Sequence, residues 1–231
     1  MRHVGIVVAA GTGSRFGGEV PKQFIEVGGK PLLFYSLKAM QDSFIDEIIV
    51  VTSADRIGYV KNDIGKKNGI SKLTHVVKGG KDRGSSVQNG LRKIKDPKNA
   101  YVYIHDGARP MLTQGILNNV KEGLEGHWAV LAAVPSKDTV KIADSDGLVQ
   151  VTPNRSTVWL AQTPQAFVAS EIMSAYEEAN AAAKAFGGDP PTDDASVMES
   201  YGPVPVHVVM GDYRNIKVTT PEDLDLIKGW L

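Results

Sequence analysis

Residues 4–10 form an unbroken apolar run, Val-Gly-Ile-Val-Val-Ala-Ala, rich in β-branched side chains. Such a run suits a strand covered on both faces, as in a parallel sheet, rather than a strand with one wet side. Further strands are predicted at residues 47–52, 73–77, 101–104, 128–134, 204–210 and 216–218. Between them apolar residues recur at helical spacing over 32–40 behind Pro31, and over 55–67, 85–94, 114–124 and 170–185. The start of a last helix is marked by Thr220 as N-cap, Pro221 in the first turn and Asp223 at capping-box spacing. Strands and helices in alternation predict an α/β fold: a mostly parallel, doubly wound sheet with helices on both faces.

One region breaks the alternation. Residues 139–143 and 148–152 are short alternating segments flanking Asp144-Ser145-Asp146-Gly147, which reads as a hairpin connection. A polar hairpin of this size has no core of its own and is marginal in water. It is expected to project as a β-arm at about residues 136–155 and to be stabilised by a partner surface. No repeat or composition shift marks a second domain, so residues 1–231 read as one domain with an arm.

Composition narrows the function classes. The 26 Lys and Arg balance 26 Asp and Glu, which leaves no net basic field for nucleic acid or an anionic membrane. Anion binding must therefore come from local clusters of cations. With no Cys there is no disulfide framework, no thiolate nucleophile and no Cys-based metal site. The five His residues show no paired ligand spacing, so no structural metal is expected. No stretch approaches the roughly 18 apolar residues of a membrane span, and the N-terminal run leads into Gly11-Thr12-Gly13 rather than a cleavage site. These features read as a soluble, cytoplasmic protein.

The strongest chemical signal is Ala9-Ala10-Gly11-Thr12-Gly13-Ser14-Arg15-Phe16, followed by Pro21-Lys22-Gln23. It sits where the first strand ends, and the carboxyl ends of strands are where open α/β sheets bind ligands. Glycines there let backbone N–H groups close on an oxyanion, and Arg15 with Lys22 suits a polyphosphate. A dinucleotide fingerprint fails because Phe16 stands where the third Gly belongs, and a P-loop fails because Glu19, not Lys, follows Gly18.

A strand ending in Ala-Ala-Gly-x-Gly-x-Arg and then Pro-Lys-Gln resembles the nucleotidyltransferases that load a sugar or polyol phosphate onto a nucleotide. Later segments narrow the resemblance: Gly79-Gly80 with Arg83 and Ser86; His105-Asp106-Gly107-Ala108-Arg109-Pro110; Asp138-Thr139-Val140-Lys141; Asn154-Arg155-Ser156 with Gln162-Thr163-Pro164-Gln165; Thr192-Asp193-Asp194-Ala195-Ser196; and Asn215-Ile216-Lys217-Val218-Thr219. In this order, over nearly the whole chain, the series is similar to the 2-C-methyl-D-erythritol 4-phosphate cytidylyltransferase family of non-mevalonate isoprenoid synthesis. The family's usual Asp-Ala-Ala-Arg is Asp106-Gly107-Ala108-Arg109 here, read as a changed side chain near the ligand with both charges kept.

The resemblance implies a Rossmann-like nucleotidyltransferase domain, CTP and a polyol phosphate as substrates, and Mg²⁺ entering with the CTP. Arg15, Lys22, Arg155 and Lys217 would be the catalytic cations. Ala9, Ala10, Gly11, Thr12, Gly13, Gly79, Gly80, Ser86 and Ala108, with Arg15 and Lys22, would hold CTP. Asp106, Arg109, Thr139 and Thr192 would receive the polyol, with Arg155 and Lys217 on its phosphate. It also implies a C₂ homodimer in which each arm completes the partner's pocket.

Bland readings stand beside these. Asp106 on spacing alone is a turn or capping Asp, His105 is structural, and Asp193-Asp194 reads as a helix cap. Residues 61–72 read as a solvated helix end, and Trp128 and Trp159 as packing in the core or near the arm. The nearest rival is a ribitol- or other polyol-phosphate cytidylyltransferase, disfavoured by the Ala9-Ala10-Gly11 opening and the Asp138–Lys141 context. From other classes, a nucleotide-dependent oxidoreductase is opposed by the failed fingerprint and by Thr52 where an acid should end the second strand. A non-catalytic nucleotide sensor is opposed by the four retained cations.

Overall fold

The computed structural model describes residues 1–11, 20–187 and 191–231. In chain order the elements are β1 (Arg2–Ala9), β2 (Glu26–Val27), β3 (Lys30–Pro31), α1 (Leu32–Gln41), β4 (Glu47–Thr52), α2 (Ile57–Tyr59), β5 (Leu73–Lys78), α3 (Arg83–Leu91), β6 (Ala100–Asp106), α4 (Gln114–Gly123) and β7 (Ala129–Pro135). They continue with β8 (Ile142–Ala143), β9 (Val149–Val151), β10 (Trp159–Val168), α5 (Ala169–Phe186), α6 (Asp194–Tyr201), β11 (His207–Met210) and α7 (Pro221–Lys228). Seven strands make one sheet in the order β11-β7-β10-β6-β1-β4-β5. Pairing is parallel throughout except for β10, which runs against both β6 and β7.

The continuous apolar strands are explained by cover on both faces. In β1, Val7 and Ala9 face one core with Leu33, Leu37, Ile116 and Leu117, while Val4 and Ile6 face another with Val87, Leu91, Ile172 and Met198. Alternate residues of β4 divide the same way: Ile48 and Val50 to the first core, Ile49 and Val51 to the second. Each fully buried aliphatic side chain contributes about 1.5–3 kcal/mol relative to exposure, so the sheet is a rigid base for whatever its edge carries.

Several expectations are corrected. The segment 55–67 is not one helix: a 3₁₀ turn at Ala54–Arg56, the single turn α2, a π turn at Val60–Gly65 and a 3₁₀ turn at Lys66–Asn68 follow each other. Gly58 and Gly65 weaken regular propagation there, while Val60 and Ile64 still reach the core. Residues 216–218 form no strand; they are held by a hydrogen bond from Val218 N to Ala108 O, 2.9 Å. The ten-residue strand β10 runs through Pro164, and the pairing with β7 shifts register between Ala161 and Gln165, which accommodates a residue without an N–H. Trp128 is 56% exposed and so is no core residue, whereas Trp159 is paired with Pro135 at the base of the arm.

The arm is present. Strands β8 and β9 pair antiparallel across a turn in which Gly147 adopts φ 83°, a conformation a side chain would strain. The terminal helix is capped as expected, with Asp223 Oδ2 accepting from Thr220 N at 2.9 Å. No helix among the described residues is long and apolar enough to cross a membrane.

Candidate active site

The carboxyl ends of β1, β4 and β6 lie side by side, with Ala9 opposite Thr52 and Val8 opposite Asp106. This register brings the glycine loop and the acid of the His-Asp-Gly-Ala-Arg segment to one edge. Gln23, buried in the 3₁₀ turn Lys22–Phe24, donates to Ala9 O at 2.7 Å and Gly11 O at 2.9 Å. It fixes the mouth of the loop and sets the adjacent Lys22 beside it. Thr12, Gly13 and Arg15 lie outside the described residues.

Gly79 and Gly80 follow β5. A Cβ on Gly79 would come within 2.4 Å of Ala10 Cβ, so only glycine lets this loop close on the end of β1. Ser86 is buried and braces the loop, accepting from Gly80 N at 3.0 Å and donating to Asp82 O at 2.8 Å. The predicted nucleotide residues Ala9, Ala10, Gly11, Gly79, Gly80 and Ser86 thus meet at one place. Ala108 is buried on the neighbouring turn.

A second cluster surrounds Asp106. Its Oδ2 receives Lys217 Nζ at 2.8 Å, and its Oδ1 receives Arg83 Nε at 3.3 Å. Burial alone would raise the Asp106 carboxyl. The charges of Arg83, Lys217 and Arg109 outweigh it and hold the group well below the usual carboxylate range. Asp106 does open a turn, its carbonyl accepting from Arg109 N at 3.0 Å, but its carboxylate is held by these cations rather than capping a helix. Arg109 donates Nη1 to Asn215 O at 2.6 Å, while its buried Nε meets no partner among the described residues. Lys217 is carried on the segment that Val218 and Asn215 pin against the turn after β6.

His105 is structural, as expected. It is fully buried, its Nε2 donates to Arg109 O at 3.1 Å, and its Nδ1 accepts from Thr163 Oγ1 at 3.0 Å. Burial pushes its pKa down to about 4, so the ring is neutral at pH 7. Asp193 caps α6, accepting from Ser196 N at 2.9 Å, which bears out the capping reading. A Cβ on Gly107 would meet Leu33 Cδ1 and Val8 O at 3.1 Å and Ala9 Cβ at 3.3 Å, so the glycine lets this turn pack closely against the end of β1.

The remaining candidates stand apart. Thr139 and Arg155 are on the arm and exposed, and the Arg155 guanidinium donates to Lys137 O at 3.3 Å. Thr192 is exposed just before α6. Three residues were not singled out for the site: Gln23, Arg83 and Asp194. All three stand inside segments the sequence flagged, Pro21-Lys22-Gln23, Gly79-Gly80-x-x-Arg83 and Thr192-Asp193-Asp194. Asp194 gave no sign of being wholly buried against Arg83.

A doubly wound sheet whose carboxyl edge joins Ala9-Ala10-Gly11 and Gly79-Gly80, with Gln23 bonded to Ala9 O and Gly11 O, to a separate charged cluster at Asp106 and Lys217 has the build of a nucleotidyltransferase. Solved structures share it. The 4-diphosphocytidyl-2C-methyl-D-erythritol synthase of Anaerococcus prevotii superposes with a TM-score of 0.85 at 35% identity, covering 99% of this chain and 95% of that one. The Francisella tularensis 2-C-methyl-D-erythritol 4-phosphate cytidylyltransferase gives 0.80 at 28% identity over the whole of both chains. In sequence, a 2-C-methyl-D-erythritol 4-phosphate cytidylyltransferase of Lachnoclostridium phytofermentans is 48% identical over 219 residues, covering 95% of this chain and 91% of the relative. One of Lachnospira eligens is 46% identical over 225 residues, 96% and 95% respectively. The profile of the 2-C-methyl-D-erythritol 4-phosphate cytidylyltransferase family matches residues 3–231, and this chain belongs to that family. It is a nucleotidyltransferase enzyme of isoprenoid biosynthesis, which removes the oxidoreductase and sensor readings and disfavours the ribitol phosphate alternative.

Proposed function

We propose that the cleft joins CMP from CTP to 2-C-methyl-D-erythritol 4-phosphate, giving 4-diphosphocytidyl-2-C-methyl-D-erythritol and pyrophosphate. A phosphate monoester with a second pKa near 6 is largely dianionic at neutral pH, so its oxygen attacks the α-phosphorus without a general base. One P–O bond forms to that phosphorus as the bond to the β-phosphate oxygen breaks in line. The difficulty is electrostatic, since two anions must meet and charge must be held on the leaving group. Lys22 and Arg15 serve the α-phosphate and transition state. Ala9, Ala10, Gly11, Thr12, Gly13, Gly79, Gly80, Ser86 and Ala108 form the nucleotide side. Asp106, Arg109 and Lys217 take the polyol phosphate, with Arg109 Nε as a donor still available for a substrate oxygen. The observation that carries this reading is that the end of β1, with Ala9-Ala10-Gly11, lies beside the Asp106 cluster at the end of β6.

Mg²⁺ bound with the triphosphate would neutralise part of its charge. Asp106, the buried acid of the cleft, already holds Arg83 and Lys217 on its two oxygens, which suits an ion held mainly by phosphate oxygens. Thr139 and Arg155, both on the arm, complete the polyol pocket only if the arm crosses to a second copy, whereas Thr192 joins it from the bend before α6, two residues from the Asp194 that holds Arg83. The arm region supports this: Ile142, Leu148, Val149, Val151, Trp159 and Leu160 are all exposed. The reading is of a homodimer acting in the cytoplasm.

Pyrophosphate release with CTP and either 2-C-methyl-D-erythritol 4-phosphate or ribitol 5-phosphate tests the assignment. Turnover with the erythritol substrate is expected; equal or better turnover with ribitol 5-phosphate would overturn it.

A further inference from the structure

Arg83 opens α3 immediately after the Gly79-Gly80 loop and lies between two carboxylates. Its Nε faces Asp106 Oδ1 at 3.3 Å and its Nη2 faces Asp194 Oδ2 at 2.7 Å. Asp194 is wholly buried at the start of α6, and its other oxygen accepts from Tyr176 OH at 2.6 Å. With Lys217 on the far oxygen of Asp106, the side chains form a row of alternating charge: Lys217, Asp106, Arg83, Asp194. Only a planar guanidinium with several donors spans two separate carboxylates in this way; a lysine offers one point charge.

The row matters because Lys217 has two claims on it. On the reading given under Proposed function, on which this inference rests, Lys217 binds the substrate phosphate. In the structure it is bonded to Asp106. When it turns to the phosphate, the buried Asp106 loses one of the two cations bonded to it. A buried carboxylate without a partner takes up a proton, and a protonated acid no longer offers two acceptor oxygens to substrate hydroxyls. Arg83 has no such second claim, because Asp194 and Asp106 together anchor it from opposite ends.

We propose that Arg83 is a positioning residue for the second substrate: it holds Asp106 ionised and fixed as a hydroxyl acceptor while Lys217 changes partner from Asp106 to the incoming phosphate. Asp194, from another helix, anchors Arg83 for that task. The nucleotide-side loop and the polyol site are thereby tied through one side chain.

Arg83→Gln alone would strand the buried charge of Asp194, so the informative variant is Arg83→Gln/Asp194→Asn, which removes both members of the inner pair. With its fold checked by circular dichroism and thermal melting, its KM for 2-C-methyl-D-erythritol 4-phosphate is expected to rise about tenfold or more, with the KM for CTP nearly unchanged. Asp194→Asn keeps the Arg83–Asp106 bond but weakens the anchor of Arg83, so the polyol KM should rise by only a fraction of the change in the double variant. A double variant with a wild-type polyol KM, or Asp194→Asn matching the full defect, would overturn the proposal. Asp106→Asn separates this from the site reading. If it raises the polyol KM and the double variant does not, the role of Arg83 alone is refuted. If neither raises it, the placement of the polyol at Asp106 fails.

Discussion

Lys217 Nζ lies 2.8 Å from Asp106 Oδ2, so the cation read as a phosphate clamp and the acid read as a hydroxyl acceptor are bonded to each other. The pair is arranged for exchange. Lys217 keeps 39% of its side-chain surface exposed, whereas Asp106 is buried and held from the other side by Arg83. The cation is the partner free to move.

Lys217→Ala should therefore act on the second substrate. A hydrogen bond to a charged group is worth about 1.5–3 kcal/mol, which predicts a roughly ten- to hundredfold rise in the KM for the polyol phosphate. Asp106 retains Arg83, so the fold should survive with little change in melting temperature. Steady-state kinetics with each substrate varied in turn checks this; an unchanged polyol KM removes Lys217 from the phosphate site.

Lys22 should behave differently. It stands beside Gln23, which grips Ala9 O and Gly11 O, and so its backbone is fixed at the mouth of the nucleotide loop. If it acts on charge that develops in the transition state, Lys22→Ala lowers kcat about a hundred- to a thousandfold while CTP affinity changes little. Single-turnover rates and CTP binding measured on the same variant decide it, and a normal kcat would dismiss the role.

How far the sequence could be read follows from where its signals lie. Buried parallel strands declare themselves by runs such as residues 4–10, and the last helix by Thr220, Pro221 and Asp223, because covering both faces and capping a helix demand those residue types. Strand β10 stayed hidden because Pro164 reads as a breaker, and only the register shift against β7 makes room for it. Residues 216–218 read as a strand because Ile216 and Val218 are β-branched, yet the backbone there is spent on docking Val218 against Ala108. At the site, the Asp106 segment was legible as a motif, but its electrostatics were not. Arg83 and Asp194 are 111 residues apart, and nothing local announces that they meet.

The buried histidine makes a pH prediction. His105 carries a pKa of about 4 in the fold against 6.5 unfolded, so between these values the unfolded chain binds more protons. Stability is then fully present above pH 6.5 and is lost as pH falls towards 4. The loss from this group is roughly 3 kcal/mol, by 1.36 kcal/mol per unit. His105→Gln removes the titration, so the slope of unfolding free energy between pH 4 and 6.5 should flatten. Urea unfolding across that range tests it; an equal slope in the variant would assign the acid sensitivity elsewhere. Asp106 adds to the loss only at lower pH, since its folded value is depressed below the normal carboxylate range and its contribution disappears as pH falls through that value.

The arm supplies the last prediction. Arg155 is exposed and its guanidinium donates to Lys137 O within its own arm, while Lys22 belongs to the cleft of its own sheet. An arm with exposed Ile142, Val149 and Val151 on a two-stranded ribbon has no core to fold back onto, and a two-fold exchange would give each ribbon a surface to cover. Arg155 would then serve the opposite subunit. Inactive Lys22→Ala and Arg155→Ala subunits, mixed under conditions that allow exchange, test this directly. A mixed dimer with crossed arms carries one doubly damaged site and one intact site. Random pairing makes about half the dimers mixed, so roughly a quarter of wild-type activity should return. If both residues act within one chain, every site keeps a lesion and nothing returns. Sedimentation of differently tagged subunits shows whether exchange took place, and exchange without recovered activity excludes the crossed arm.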